Sequence, residues 1–303
     1  MRITNDAIRA CRTAFDLKFA EAMNAAAAEN VYQEFCTEVG DAGFQMVEIP
    51  FLEQFGSMRE WLDDRVIKNL EEKVITLKER SFEETIGIKA RDLETGAWRQ
   101  KGSIIAAMGQ GGERLWDELF FEALTGTKKW IDGKAFFASD RKYGKNSLIN
   151  NVTTNDLTNA NFAAAYKAMC SYVGGAGKPL KVKPTHLLVG PALEDTAREI
   201  LESEKIKDAQ GNEVNNVQRG KVKLVVSSEL VGANANFWFM AACGGVIKPV
   251  LMQKSVPATL TVCDNLADEG RFMRGEVLFG TEAYGSAAAG FPHLIYRGGN
   301  VVA

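Results

Sequence analysis

The sequence predicts an α+β protein, and three observations carry that prediction. A long amphipathic helix occupies the middle of the chain, charged alternating strands precede it, and helices alternate with strands after it. With 303 residues the chain has room for one large domain or two modest ones, each with its own core.

The first helix is expected over residues 5–28, where Ile8, Cys11, Phe15, Phe19 and Met23 recur at spacings of three and four and Asn5 or Asp6 can cap it. Such a stripe either packs on the chain's own core or docks on a neighbouring subunit. Residues 44–50 read as a short strand stopped by Pro50. Residues 73–78 and 82–89 alternate apolar and polar side chains, as half-exposed strands do. Together they suit a charged hairpin that projects from a body and needs a partner surface, because a hairpin alone has too little core. The long helix follows over residues 102–125. Ile104, Met108, Leu115, Leu119 and Ala123 form one stripe, with Trp116, Phe120 and Leu124 beside it. Gly111 and Gly112 weaken its middle by about 1 kcal/mol each relative to alanine. Beyond it, residues 162–172 and 191–203 read as helices, and 186–190, 223–228, 237–242 and 246–253 as strands, around a polar excursion at 205–221. Residues 258–262 and 271–284 read as closing strands.

Thirty-six Lys and Arg stand against 39 Asp and Glu, a net charge of −3. That balance argues against a dedicated nucleic-acid binder, which shows a basic face and a high pI, but is compatible with a protein that merely encloses nucleic acid. The longest mostly apolar run, residues 237–247, is broken by Gly244 and Gly245 and is far shorter than the roughly 20 residues a bilayer requires. The N-terminus shows no apolar signal core, and Cys11, Cys36, Cys170, Cys243 and Cys263 form no Cys-x-x-Cys pair. Free thiols and synthesis in a reducing cytoplasm are expected.

Catalytic parts do not assemble. Of two histidines, His186 heads an apolar strand and His293 follows Phe291-Pro292, and neither has a nucleophile or ligand set in sequence reach. Gly109-Gln110-Gly111-Gly112 lacks the Gly-Lys-Ser/Thr ending of a phosphate loop and lies inside a helix. Adjacent acids such as Glu83-Glu84 and Asp63-Asp64 point to opposite faces of an extended chain and cannot share a proton. The chain is therefore expected not to be an enzyme, with no catalytic residue, cofactor or metal.

Four segments then resemble the Mu-like major head subunit family of tailed phages, in its order and spacing. They are Arg59-Glu60-Trp61 with Arg65, Phe82-Glu83-Glu84-Thr85-Ile86 and Arg91-Asp92; Asp132-Gly133 with Phe136-Phe137-Ala138-Ser139-Asp140; residues 184–191 (PTHLLVGP) running into 194–201 (EDTAREIL); and residues 279–285 (FGTEAYG) with Gly290-Phe291-Pro292. The third is the most specific. Where the family often has His-Pro after the aspartate of the second segment, this chain has Arg141-Lys142, read here as loop variation. The first 40 residues carry little of the likeness.

The resemblance implies the tailed-phage major capsid fold of the Hong Kong ninety-seven type. Residues 1–46 would be the N-terminal arm, 47–80 the extended hairpin loop, 81–157 and 269–303 the peripheral domain with spine helix 102–125, and 158–268 the axial domain. It implies pentamers and hexamers of this chain in an icosahedral head of a phage virion, assembled in the host cytoplasm. Implied partners are a scaffolding protein, a maturation protease, a portal and decoration proteins, with DNA enclosed without sequence recognition and no membrane contact. An encapsulin-like compartment shell of the same fold is the alternative. Assembly contacts are expected at Arg59, Glu60, Trp61 and Arg65, where a tryptophan sits among charges, as interface anchors do. Trp61→Ala is expected to cut particle yield while shifting the melting temperature by less than about 2 °C. A large fall in melting temperature with normal shells would instead place Trp61 in a local core.

Overall fold

The computed structural model describes residues 5–40, 43–51, 73–143, 147–175, 177–207, 212–263 and 275–302. The chain begins with α1 (Asn5–Ala27), a one-turn α2 (Tyr32–Phe35) and β1 (Cys36–Glu38), followed by β2 (Met46–Pro50), β3 (Val74–Lys78) and the longer β4 (Arg80–Lys89). A short α3 (Ala90–Thr95) leads into α4 (Gly102–Thr125), and a small hairpin follows, β5 (Arg141–Tyr143) with β6 (Ser147–Ile149). Next come α5 (Asn159–Cys170), β7 (His186–Val189), α6 (Glu194–Glu202) and the hairpin β8 (Lys205–Lys207) with β9 (Glu213–Asn215). The chain closes through β10 (Lys223–Val226), β11 (Trp238–Ala241), the long β12 (Val250–Cys263) and β13 (Glu276–Ala289), and β14 (Ile295–Gly298).

Two four-stranded sheets organise these elements. One has the order β1-β12-β13-β4, the other β10-β7-β11-β14. In the first, α4 lies on β12 and β13, and α1 lies on α4. In the second, β7 and β10 are parallel, joined through α6, while β11 and β14 run antiparallel. The α1 stripe is satisfied within the chain: Cys11, Phe15 and Phe19 are buried, and Phe15 meets the rings of Trp98 and Phe279 edge-on.

Helix α4 has the expected bounds, but its buried face is wider than the first stripe. Ile105, Met108, Trp116, Leu119, Phe120 and Leu124 are buried while Ile104 is exposed. Of the first stripe only Ile104 is exposed, and the flanking Trp116, Phe120 and Leu124 are buried with Met108 and Leu119, because sheet and α1 press on α4 from two sides. The glycines of α4 also have a use that periodicity does not reveal. A Cβ at Gly109 would lie 2.5 Å from the Phe19 carbonyl oxygen, and one at Gly112 would lie 2.5 Å from the Ala258 Cβ. Their absence lets α1 and β12 approach the helix backbone.

Strand β12 also differs from expectation. Residues 246–253 and 258–262 read as separate strands, yet one strand runs through Pro257, and it starts only at Val250 because Val246 stands 96% exposed in the loop before it. Its register against β13 slips between Val256 and Thr259, so proline falls at a bulge where it owes the ladder no N–H. The described base of the β2–β3 hairpin packs on the body of the fold. Ile75 and Leu77 are buried, and Phe51 packs among Trp130, Tyr143 and Phe291. The polar excursion after α6 contains the β8–β9 hairpin, pinned by a 3.0 Å Lys205–Glu213 ion pair.

The Arg141 departure is not mere loop variation. Its side chain is 1% exposed, pairs with Asp132, donates to the carbonyls of Ala135 (2.7 Å) and Phe136 (3.1 Å), and lies over the Trp130 ring. A buried guanidinium needs all these partners, so it organises the whole loop after α4. The glycine geometry gives two opposite expectations. Gly109→Ala should cost about 1–3 kcal/mol by pushing α1 away. Gly111→Ala, whose Cβ meets only the Glu84 carboxylate at 4.0 Å, should gain up to about 1 kcal/mol in helix propensity. Urea unfolding of both variants checks the pair, and equal signs would refute the packing argument.

Candidate functional site

Arg59, Glu60, Trp61 and Arg65 lie outside the described residues, as does Lys68. On either side of the segment that carries them the described chain ends at Phe51 and resumes at Lys73, and the Phe51 amide donates to the Lys73 carbonyl at 2.7 Å. The described residues instead present two junctions between the sheets.

The first junction gathers around His186. Imidazole Nε2 lies 2.9 Å from the Glu34 carboxylate, and Nδ1 lies 2.8 Å from the Thr185 hydroxyl. The other Glu34 oxygen takes the Lys223 ammonium at 2.6 Å. The Thr185 hydroxyl oxygen accepts the Cys243 amide at 2.9 Å. The Thr185 contact fits a neutral ring with its proton on Nε2, the nitrogen that lies close to Glu34, while the Thr185 hydroxyl donates to Nδ1. Burial pushes the imidazole pKa down, against the pull of Glu34, and so favours that neutral form. Hydroxyl, imidazole and carboxylate appear in the order of an acyl-transfer triad. However, the threonine neighbours the histidine in sequence and is locked by the Cys243 amide, and neither histidine lines the clefts beside β13 and beside α6. The arrangement ties α2 to β7 and β10. Lys248 reinforces it by donating its amide to the Thr37 hydroxyl (2.7 Å) and its ammonium to the Gln33 carbonyl.

The same stretch is stapled to α4. The Asp117 carboxylate accepts the amides of Val31 (3.1 Å) and Tyr32 (2.8 Å); burial raises its pKa while these two bonds oppose the rise. Lys254 donates to the Tyr32 hydroxyl at 2.9 Å and lies 3.6 Å from Glu113.

The second junction is built on Asn151, fully buried. Its amide nitrogen faces the carbonyls of Phe136, Pro292 and Ile295, and its oxygen accepts the Ala138 amide at 2.9 Å. Beside it the Tyr143 hydroxyl meets His293 Nδ1 at 3.1 Å. Sequence reading placed both histidines as structural but supplied no partner for either. Glu34, Lys223, Asp117 and Asn151 carried no signal in the chain, since each acts across a sequence separation that pattern reading does not reach.

Among the described residues no group of His, Cys, Asp and Glu is placed to hold a metal ion, and no helix is long and apolar enough to cross a membrane. The cysteines are free, with Cys11, Cys36 and Cys243 buried. Apolar side chains are nevertheless exposed in several places, among them Leu17 on α1, Phe44 and Met46 at the hairpin, and Val217, Val231 and Val246 in the second half. Scattered singly in this way, they are ordinary for a protein surface and mark no one site.

A family model described as Mu-like prophage major head subunit gpT matches residues 8–156, 148–230 and 220–301. The major capsid protein of Escherichia phage Mu is 23% identical, the similarity covering 59% of this chain and 85% of that protein. The Mu-like prophage FluMu major head subunit of Haemophilus influenzae is 22% identical, over 75% of this chain and 99% of that protein. Among solved structures, a chain of the procapsid of bacteriophage JBD30 is similar with a TM-score of 0.59 and 20% identity, covering 99% of this chain and 77% of that one.

The second junction makes a pH dependence testable. Burial drives the His293 pKa down from 6.5 to about 4. A histidine depressed in the folded state binds fewer protons there than when unfolded, so its contribution to stability is full above pH 6.5 and is lost as pH falls toward 4. The loss should reach about 3 kcal/mol at most. Denaturation between pH 7 and pH 4 is expected to show this decline in the parent chain and a flatter profile in His293→Gln; parallel profiles would refute the assignment.

Proposed function

Since the chain belongs to the Mu-like prophage major head subunit family, we propose that it closes into pentamers and hexamers of an icosahedral head around double-stranded DNA. It is a major capsid protein of the Mu-like kind, with the tailed-phage capsid fold. The observation that carries the reading is the family match running from residue 8 to residue 301, so that both sheets and α4 fall within it. It favours a genome-enclosing shell over an encapsulin-like compartment.

In this reading residues 1–46 form the N-terminal arm and 47–80 the hairpin loop. Residues 81–157 and 269–303 form the peripheral domain on spine helix α4, and 158–268 form the axial domain; the two exchange strands, since β12 enters the peripheral sheet and β14, within 269–303, completes the axial one. The layout is supported by the two sheets and the braces between them. The protein acts through surfaces and not as an enzyme, consistent with histidines held in internal bonds. Scaffolding protein, maturation protease, portal and decoration proteins are its partners, assembly takes place in the host cytoplasm, and DNA is enclosed without base recognition. A net charge of −3 suits a wall that must not adhere to packaged DNA.

Electron microscopy of the purified protein tests the reading. Capsomers or closed shells are expected, whereas a monodisperse monomer of 33.2 kDa at high concentration under all salt and scaffold conditions would overturn it. Mature shells are further expected to lack covalent cross-links. Amide-bond formation by a lysine needs a neutral, buried amine with a carboxylate to take the proton, and Lys73 and Lys78 of the hairpin are solvent-exposed. Boiling particles in detergent should give one band near 33.2 kDa on a denaturing gel; a ladder of multiples would refute the expectation.

A further inference from the structure

The edge of the first sheet is incomplete at one end. Strand β13 pairs with β12 as far as Ala289, but on its other side β4 stops at the Arg80–Gly285 pair. Residues 286–289 therefore have no described strand on that edge. An antiparallel strand turns the N–H and C=O of alternate residues to each side, so this stretch presents unpaired backbone groups. Past Gly285 β3 lies near β13 without pairing with it, and the two line a cleft of about 830 Å³. Its floor is apolar, from Leu119 and Ala123 of α4 with Trp130, and its far wall is β3 with Ile75 and Leu77.

A second observation points to an occupant. Ser286, which lines the cleft, is 6% exposed, and its hydroxyl has no hydrogen-bond partner. A buried hydroxyl without a partner costs free energy that a bound backbone would recover. The rim is basic: Lys78, Arg80, Lys128 and Lys129 stand against Glu79 and Glu122, four positive charges to two negative. Glu122 is already taken by Arg80 at 2.7 Å and Lys128 at 3.8 Å, so the uncompensated charge is positive.

We propose that this cleft is a docking slot for an extended acidic segment of a different protein, which adds as a strand to the free edge of β13 at residues 286–289. Main-chain hydrogen bonds supply the binding, alternate apolar side chains of the guest enter the floor, and carboxylates at its ends meet the rim lysines. The inference rests on the cleft and not on the shell reading, and the exchange experiment below reads the same whether or not the protein assembles.

The test uses the purified soluble protein, in whatever assembly state it adopts, and two synthetic probes: a heptapeptide of alternating valine and threonine with a glutamate at each end, and its counterpart with lysine ends. Amide hydrogen exchange is followed in the fragments containing residues 74–80 and 286–289. At roughly tenfold excess over its Kd the glutamate peptide should slow exchange at 286–289 by about tenfold, and the lysine peptide should not. The double variant Lys78→Glu, Lys129→Glu changes only exposed side chains and should reverse the preference without altering the melting temperature. Protection by neither peptide, equal protection by both, or an unreversed preference in the double variant overturns the proposal. So does protection that appears when this chain alone assembles, which would make the occupant a second copy.

Discussion

Helix α4 is packed from two directions, and the rest of the subunit depends on how closely it can be approached. On one side the α1 backbone comes so near that a single methyl group at Gly109 would strike the Phe19 carbonyl, and on the other β12 sits against Gly112. Interiors are packed at crystal-like density, so such contacts cannot be loosened without opening voids. A helix held this way is a rigid rod, and the four-stranded sheet β1-β12-β13-β4 is laid along it. The turn between α1 and α2 is positioned in turn by Asp117, a carboxylate on that rod that accepts two amides from residues 31 and 32.

The two sheets are joined by polar groups and not only by apolar burial. At one junction Glu34 links His186 and Lys223; at the other the Asn151 amide group lies among three carbonyls and accepts one N–H, tying the loop after α4 to the start of β14. Buried polar networks of this kind fix geometry, because every alternative arrangement leaves a donor or acceptor unpaired. Apolar contacts alone would tolerate sliding. A subunit that must repeat one shape around closed rings has a use for such directional ties, since errors in the angle between its halves accumulate around the ring.

The same organisation engages both histidines in internal contacts. His293 is held neutral by burial, and His186 has both nitrogens engaged within the chain. Among the described residues the surface carries exposed apolar side chains, solvated ion pairs and a β13 edge at residues 286–289 without a described partner strand.

The sequence by itself determined the elements whose signal is local. Helices 5–27 and 102–125 were legible from spacings of three and four, and β3 and β4 from alternation, because side-chain periodicity follows directly from backbone geometry. It also carried the family, through segments read in order. Only the tertiary structure decided which face of α4 is buried, since two surfaces press on it and Ile105 lies inside while Ile104 does not. It alone showed that β12 continues past Pro257, because the bulge that excuses the proline is made with β13. The roles of Gly109, Arg141, Asn151 and Glu34 were likewise hidden. Each acts on a backbone or side chain brought near by folding, and a contact across such a separation leaves no period in the chain that makes it.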